Sequence, residues 1–277
     1  MRNLTLQELG NRLPIPNESG EHENFVFRAW RLPEEKKISE IKNKQKNLGK
    51  FIREVYEFMI VELGGKKLEG MAEGEKKLLF NRMPFANMFY LWIYLRYEAL
   101  GEQLKMTAMT CPHCAGSVKD FVADLNSLEV KSPGFEEVDG APIEKREKLK
   151  GSESYKLKKP FPMGDIHVHG LEFGYTPWDA MERLPSGERS HGAIKEAMMK
   201  ASIHGGLAAE SEKPLSLDKE KVLNLISKKD IEGYYDALDK FNGGPVMAVT
   251  VPCPHCDQEF HQPLNWTYEY FFGSLSL

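Results

Sequence analysis

The tetrapeptide Cys-Pro-His-Cys occurs twice, at residues 111–114 and 253–256, and it holds all four cysteines of the 277-residue chain. Two such pairs offer four thiolates, enough to fill the coordination shell of one tetrahedral Zn²⁺. Residues 115–252 lie between them, a far longer interval than a compact zinc ribbon spans. One metal held by Cys111, Cys114, Cys253 and Cys256 would therefore fasten the middle of the chain to its end. Four sulfurs leave no open position for water or substrate, so such a site is structural rather than catalytic. His113 and His255 are then bystanders within their knuckles, although either could replace a sulfur.

The same tetrapeptide also serves as the active site of oxidising dithiol enzymes, where the first thiol sits at a helix N-terminus. Three features oppose that reading. The motif is duplicated, Met1–Thr5 lacks the apolar run of a signal peptide, and Pro263 interrupts any long helix after the second pair. In the reducing cytoplasm that this start implies, paired cysteines read as metal ligands rather than structural disulfides.

A net charge of −4 gives no global attraction to nucleic acid or to an anionic membrane, and the most apolar stretch, 85–95, is too short to span a bilayer. A nucleic-acid-binding zinc ribbon would need a basic surface around the knuckles. Lys105 and Lys119 lie near the first pair, but Asp257 and Glu259 crowd the second.

Along the chain, Asn24–Trp30 reads as a strand. Pro33 opens a helix-compatible stretch that runs to Leu63 and stops at Gly64-Gly65. Gly74–Phe80 is a short helix, and Ala86–Leu100 is a core helix ended by Gly101. Strand-like sequence flanks both knuckles, so each is the tip of a hairpin. The charged stretch 131–160 reads as a linker, 154–173 as strands, and 177–184, 190–203 and 217–241 as helices with Asp230 as an N-cap. The aromatic tail 266–272 should close a sheet or dock on another subunit, because a free tail of this kind would be an exposed apolar surface. His167 and His169 share a strand face without a matching carboxylate cluster. His191 near Glu188 and Ser190 lacks a nucleophile elbow, and no Walker or Rossmann fingerprint is present.

The order of elements, Met88-Phe-Tyr-Leu-Trp-Ile-Tyr-Leu-Arg-Tyr-Glu-Ala-Leu-Gly101, then Leu104-Lys-Met-Thr-Ala-Met-Thr-Cys111-Pro-His-Cys114, then Asp124-Leu-Asn-Ser-Leu-Glu-Val130, resembles a known family. It is similar to the baseplate-hub and tail-assembly proteins of T4-like contractile phages and related contractile injection systems. The resemblance covers about residues 75–131 and, more loosely, 218–272; the first seventy residues lie outside it. Ala115 and Asp257 depart from the glycine that often follows a zinc knuckle.

The resemblance implies a non-enzymatic component that contacts other baseplate and tail-hub proteins, or further copies of itself. It would be made in the host cytoplasm and reside in the tail baseplate, without a membrane, nucleic-acid or small-molecule partner. The expected fold is α+β, mainly helical, with small antiparallel hairpins joined by one zinc-ribbon-like site of four cysteines. The expected division is 1–73 (strand and long helix), 74–130 (helical block and first knuckle), 131–160 (charged linker) and 161–277 (strands, helices, second knuckle and tail). The second and last of these form one structural unit.

Overall fold

The computed structural model describes residues 2–133, 135–138, 141–144, 151–187, 190–208, 214–265 and 272. The chain starts with β1 (Arg2–Thr5), α1 (Leu6–Leu9) and β2 (Phe25–Phe27), then α2 (Leu32–Lys44) and α3 (Leu48–Met59). The single long helix expected up to Leu63 is therefore broken twice. Gln45 takes an extended conformation, and the Asn47 side chain caps α3 by accepting from the Lys50 N–H at 2.9 Å. After Met59 the β-branched Ile60 and Val61 pass into β3 (Ile60–Leu63), which pairs with β2 and with β4 (Lys66–Lys67). Gly64 and Gly65, at φ 57° and 75°, form the hairpin turn between β3 and β4 rather than a helix stop.

Next come α4 (Glu73–Arg82) and α5 (Phe85–Leu100), separated at Pro84. Helix α5 is apolar nearly all round because it is packed nearly all round: Met88, Tyr90, Leu91, Trp92, Ile93 and Leu95 are buried. Tyr56 of α3 donates its hydroxyl to the Met88 carbonyl, and its ring meets Trp92 edge-on. Phe272 stacks on Trp30 and meets Trp92 edge-on, so this part of the aromatic tail docks on its own chain. Residues 266–271 lie outside the described residues.

β5 (Gln103–Met106) and β6 (Met109–Thr110) run into the first knuckle, and β7 (Ser117–Val118) and β8 (Phe121–Asp124) run out of it. Ala108 and Asp120, both at φ 58°, kink the two sides between the pairs β5–β8 and β6–β7. That kink accounts for the imperfect alternation of the sequence here. A 3₁₀ turn leads to β9 (Glu129–Ser132), the middle strand of a sheet in which Leu4 of β1 pairs with Val130.

The interval expected as a charged linker contains further strands: β10 (Phe135–Val138), β11 (Ala141–Glu144) and most of β12 (Ser152–Met163). β12 pairs with β13 (Ile166–Gly174), which follows a short turn and in turn pairs with β14 (Ile203–Ala208). Between β13 and β14 lie α6 (Asp179–Glu182) and α7 (His191–Ser202); after them come α8 (Lys219–Leu225) and α9 (Lys228–Asn242). This sheet builds a second core in which Leu157, Phe161, Val168, Leu171 and Phe173 meet Met199, Val222, Tyr234 and Leu238. The chain then returns to the first core through β15 (Gly244–Pro245) beside β9, and through the hairpin β16 (Ala248–Pro252) and β17 (Glu259–Pro263) around the second knuckle.

Helix makes up 40 % of the structure and strand 30 %, so the expectation of a mainly helical chain is corrected to a roughly balanced α+β fold. The excess strand comes from β3 and from β10–β12. There, exposed lysines such as Lys156, Lys158 and Lys159 decorate the outer face of a paired strand and mimic a loop in the sequence.

α3 is fastened to α6 within the first core, which Trp178 and Met181 of the α6 segment enter. Arg53 Nε bonds Glu182 and its Nη1 bonds Glu57, the Asn47 amide donates to the carbonyls of Glu182 and Leu184, and Trp178 Nε1 donates to the Gly49 carbonyl at 3.0 Å.

Ser227, not Asp230, caps α9. Asp230 sits three residues later and turns its buried carboxylate onto the bulge of β12. It accepts the N–H groups of Lys158 at 2.6 Å and Lys159 at 3.2 Å, and the Ser227 hydroxyl at 2.7 Å. Burial opposes its ionisation, but these donors hold the carboxyl below the usual carboxylate range. Its contribution to stability is therefore present above the unfolded pKa of about 3.9 and lost as pH falls through the lower folded value. Asp230→Ala is expected to cost about 2–3 kcal/mol at neutral pH by leaving two N–H groups without an acceptor. In urea titrations, stability should fall less steeply below pH 4 than in the parent; an unchanged pH profile would contradict the assignment.

Candidate metal centre

Each knuckle closes on itself through main-chain bonds before its sulfurs are considered. In the first, the Cys111 N–H donates to the Gly116 carbonyl and the Ala115 N–H to the Cys111 carbonyl, both at 2.9 Å. The second repeats the pattern: Cys253 N–H to the Gln258 carbonyl and Asp257 N–H to the Cys253 carbonyl. Sequence separation hides this equivalence, and hairpin packing reveals it.

The turn needs a left-handed residue directly after the second cysteine. Ala115 and Asp257 fill that role at φ 58° and 57°. These are the positions where the sequence departs from the glycine usual after a knuckle, so the departure is carried as backbone strain at Ala115. Aspartate visits this region more readily than alanine. Ala115→Gly is expected to raise stability by about 1 kcal/mol, the relieved Cβ contact outweighing the extra freedom of the unfolded chain. Asp257→Gly should give less. Thermal denaturation of the two variants side by side checks the order.

The four sulfurs converge. All lie within 4.8 Å of one another, with Cys111 Sγ 3.8 Å from Cys256 Sγ and Cys114 Sγ 3.6 Å from Cys253 Sγ. A disulfide would need about 2.05 Å, and all four cysteines are free thiols. A regular tetrahedron with metal–sulfur bonds of about 2.3 Å has edges of about 3.8 Å, so the cluster fits a tetrathiolate metal ion. Cys111 and Cys253 are buried, Cys256 half-buried and Cys114 exposed.

The electrostatics also fit a cation. Burial disfavours the Cys111 thiolate, yet the N–H groups of Cys114 and His113 pull its pKa down to about 6. At Cys256 the Gln258 N–H favours the thiolate, but burial and the neighbouring sulfurs push the pKa up to about 12. Four crowded thiols cannot all ionise side by side, and a divalent ion among them removes that obstacle.

Neither histidine points its ring nitrogen at the sulfurs. His113 Nε2 lies 3.3 Å from the Glu259 carbonyl, and His255 Nε2 lies 3.0 Å from the Ser117 carbonyl. These bonds cross from one knuckle to the other hairpin, a role that the sequence reading missed. Two identical histidines in equivalent positions were the available signal.

Among the described residues the four cysteines are the one cluster with metal-ligating geometry, and His167 and His169 belong to no such group. Glu188 lies outside the described residues, as does the His191 side chain, so that pairing has no described geometry. Among the described residues no helix is long and apolar enough to cross a membrane.

Compared with known proteins, a family model described as T4 bacteriophage base plate protein matches residues 13–265. The match takes in both knuckles, the whole interval between them, and most of the first seventy residues that the motif resemblance left out. No curated protein and no solved structure matches.

Proposed function

The chain belongs to the T4 bacteriophage base plate protein family, and from that membership we propose that it is a non-enzymatic structural and assembly component of a contractile tail baseplate. One Zn²⁺ on Cys111, Cys114, Cys253 and Cys256 staples its fold. Its partners are other baseplate and tail-hub proteins, which it meets in the host cytoplasm during assembly.

The family match over residues 13–265 carries the baseplate role, and the convergence of four sulfurs from opposite ends of a long sequence interval supports the staple. When bound, the ion supplies charge neutralisation and a cross-link. The chain's own residues supply the rest: the N–H groups of Cys114 and His113 favour the Cys111 thiolate, and packing of Val118, Val251 and Phe260 keeps both hairpins on the first core. Such a centre stiffens the subunit without offering a coordination site to a substrate. The domain division proposed with it treats 74–130 and 161–277 as one unit closed by the metal.

Elemental analysis of purified protein, with thiols counted before and after unfolding, tests the staple. One zinc per chain and four thiols protected until unfolding is the expected result. Absence of metal together with a reactive pair would favour dithiol chemistry instead. Mass spectrometry of purified tail particles tests the location, and failure to recover the chain from either assembling or finished baseplates would overturn it.

A further inference from the structure

The two knuckles are related by an approximate two-fold axis through the sulfur cluster. Two sulfur contacts pair the first cysteine of each knuckle with the second of the other: Cys111 with Cys256, and Cys253 with Cys114. The histidine bonds obey the same symmetry. His113 reaches the carbonyl of Glu259, three residues past Cys256, and His255 reaches that of Ser117, three residues past Cys114. A carbonyl only accepts, so each Nε2 carries a proton and donates it. Gly116 leaves room for one ring: a Cβ there would come within 2.5 Å of His255 Cδ2.

We propose that His113 and His255 are positioning residues that latch the two knuckles together independently of metal, so that the four thiols are presented as a preformed tetrad. The latch rests on the tetrathiolate reading for its purpose but not for its existence, because both bonds join a side chain to main chain and involve no sulfur. A preformed tetrad binds metal without paying the entropy of closing the interval 115–252, which the packed hairpins and the latch have already closed. It also retains the metal longer, since one sulfur that lets go stays beside the other three.

Two measurements on the full-length chain test the latch. In the first, metal-stripped, reduced protein is treated with a bifunctional thiol reagent short enough to join only neighbouring sulfurs. Peptide mapping then asks whether fragments carrying 111–114 and 253–256 are linked. The parent should link them efficiently, and the double variant His113→Ala/His255→Ala should lose most of that product. His113→Gln/His255→Gln should restore it, because a glutamine amide N–H sits as many bonds from the backbone as histidine Nε2.

In the second, the zinc-loaded proteins are mixed with a chromophoric chelator. Each alanine substitution should speed zinc transfer about fivefold, the equivalent of one exposed hydrogen bond, and each glutamine should bring the rate back towards the parent. Equal linking in parent and alanine variants would overturn the latch. So would glutamine behaving like alanine in both assays, since the ring and not its N–H donor would then matter. If the protein bound no zinc but the linking followed the expected order, the metal reading would fail while the latch stood.

Discussion

Cys253→Ser is expected to abolish zinc binding and to lower stability by more than about 4 kcal/mol, the range in which single substitutions act by removing a metal or a buried network. Cys253 is 2 % exposed, so the hydroxyl would be buried where a thiolate was held, and it cannot replace that thiolate on the ion. Binding energy at such a site is folding energy, and losing one of four sulfurs forfeits most of it. Calorimetry with and without chelator separates the metal from the packing. Chelation should lower the parent's melting temperature towards that of the variant and leave the variant unmoved. Cys114→Ser should lose the same metal with less packing damage, because Cys114 is exposed. If chelator left the parent unaffected, the staple would be wrong.

The second large effect lies where α3 meets α6. Arg53 binds Glu182 through Nε and Glu57 through Nη1, with the side chains of Arg53 and Glu182 each 8 % exposed. Arg53→Ala leaves two shielded carboxylates without a cation and is expected to cost about 3–5 kcal/mol. Burial already raises the Glu57 pKa against the pull of Arg53, and Glu182 adds to the rise. Without the arginine the Glu57 carboxyl should titrate still further above its unfolded value of about 4.3. The sign of the pH dependence follows: the variant is weakest at neutral pH and recovers as pH falls through the raised folded pKa of Glu57. Arg53→Lys should not rescue it, since one ammonium cannot reproduce a fork that binds two carboxylates through different nitrogens. Guanidinium titrations at pH 7 and pH 5 check both points, and a loss that is the same at both would refute the charge argument.

The two cysteine pairs were legible in the sequence because their chemistry is local: a two-residue gap between cysteines is a geometric constraint that needs no tertiary context. Their union across the interval 115–252 was inferable only from valence, and the latch was invisible because a histidine–carbonyl bond leaves no mark on the pattern of residue types. The core helix α5 was legible for the opposite reason, since its apolar residues cover every side. The strand β12 was missed because exposed lysines line its outer side and only single residues such as Leu157 and Phe161 reach the core. The helix read as running to Leu63 was too long because Gln45 ends α2 and the β-branched pair Ile60-Val61 opens β3. Arg53 could not have been singled out, because its partner Glu182 lies on an element far along the chain.

The sheet β1–β9–β15 has a consequence for how the molecule is made. Its middle strand pairs on one side with residues 2–5 and on the other with residues 244–245. During synthesis the first strand can find β9 once the ribosome has released it, but the sheet stays one-sided until residues 244–245 have emerged. Contacts of such long range make folding slow and leave an open strand edge in the interim, a template for pairing with the wrong chain. Closure of this sheet and arrival of the second knuckle come within a few residues of each other. The segment 244–256 therefore completes both, and a ribosome stalled before residue 244 would present a nascent chain still open to aggregation.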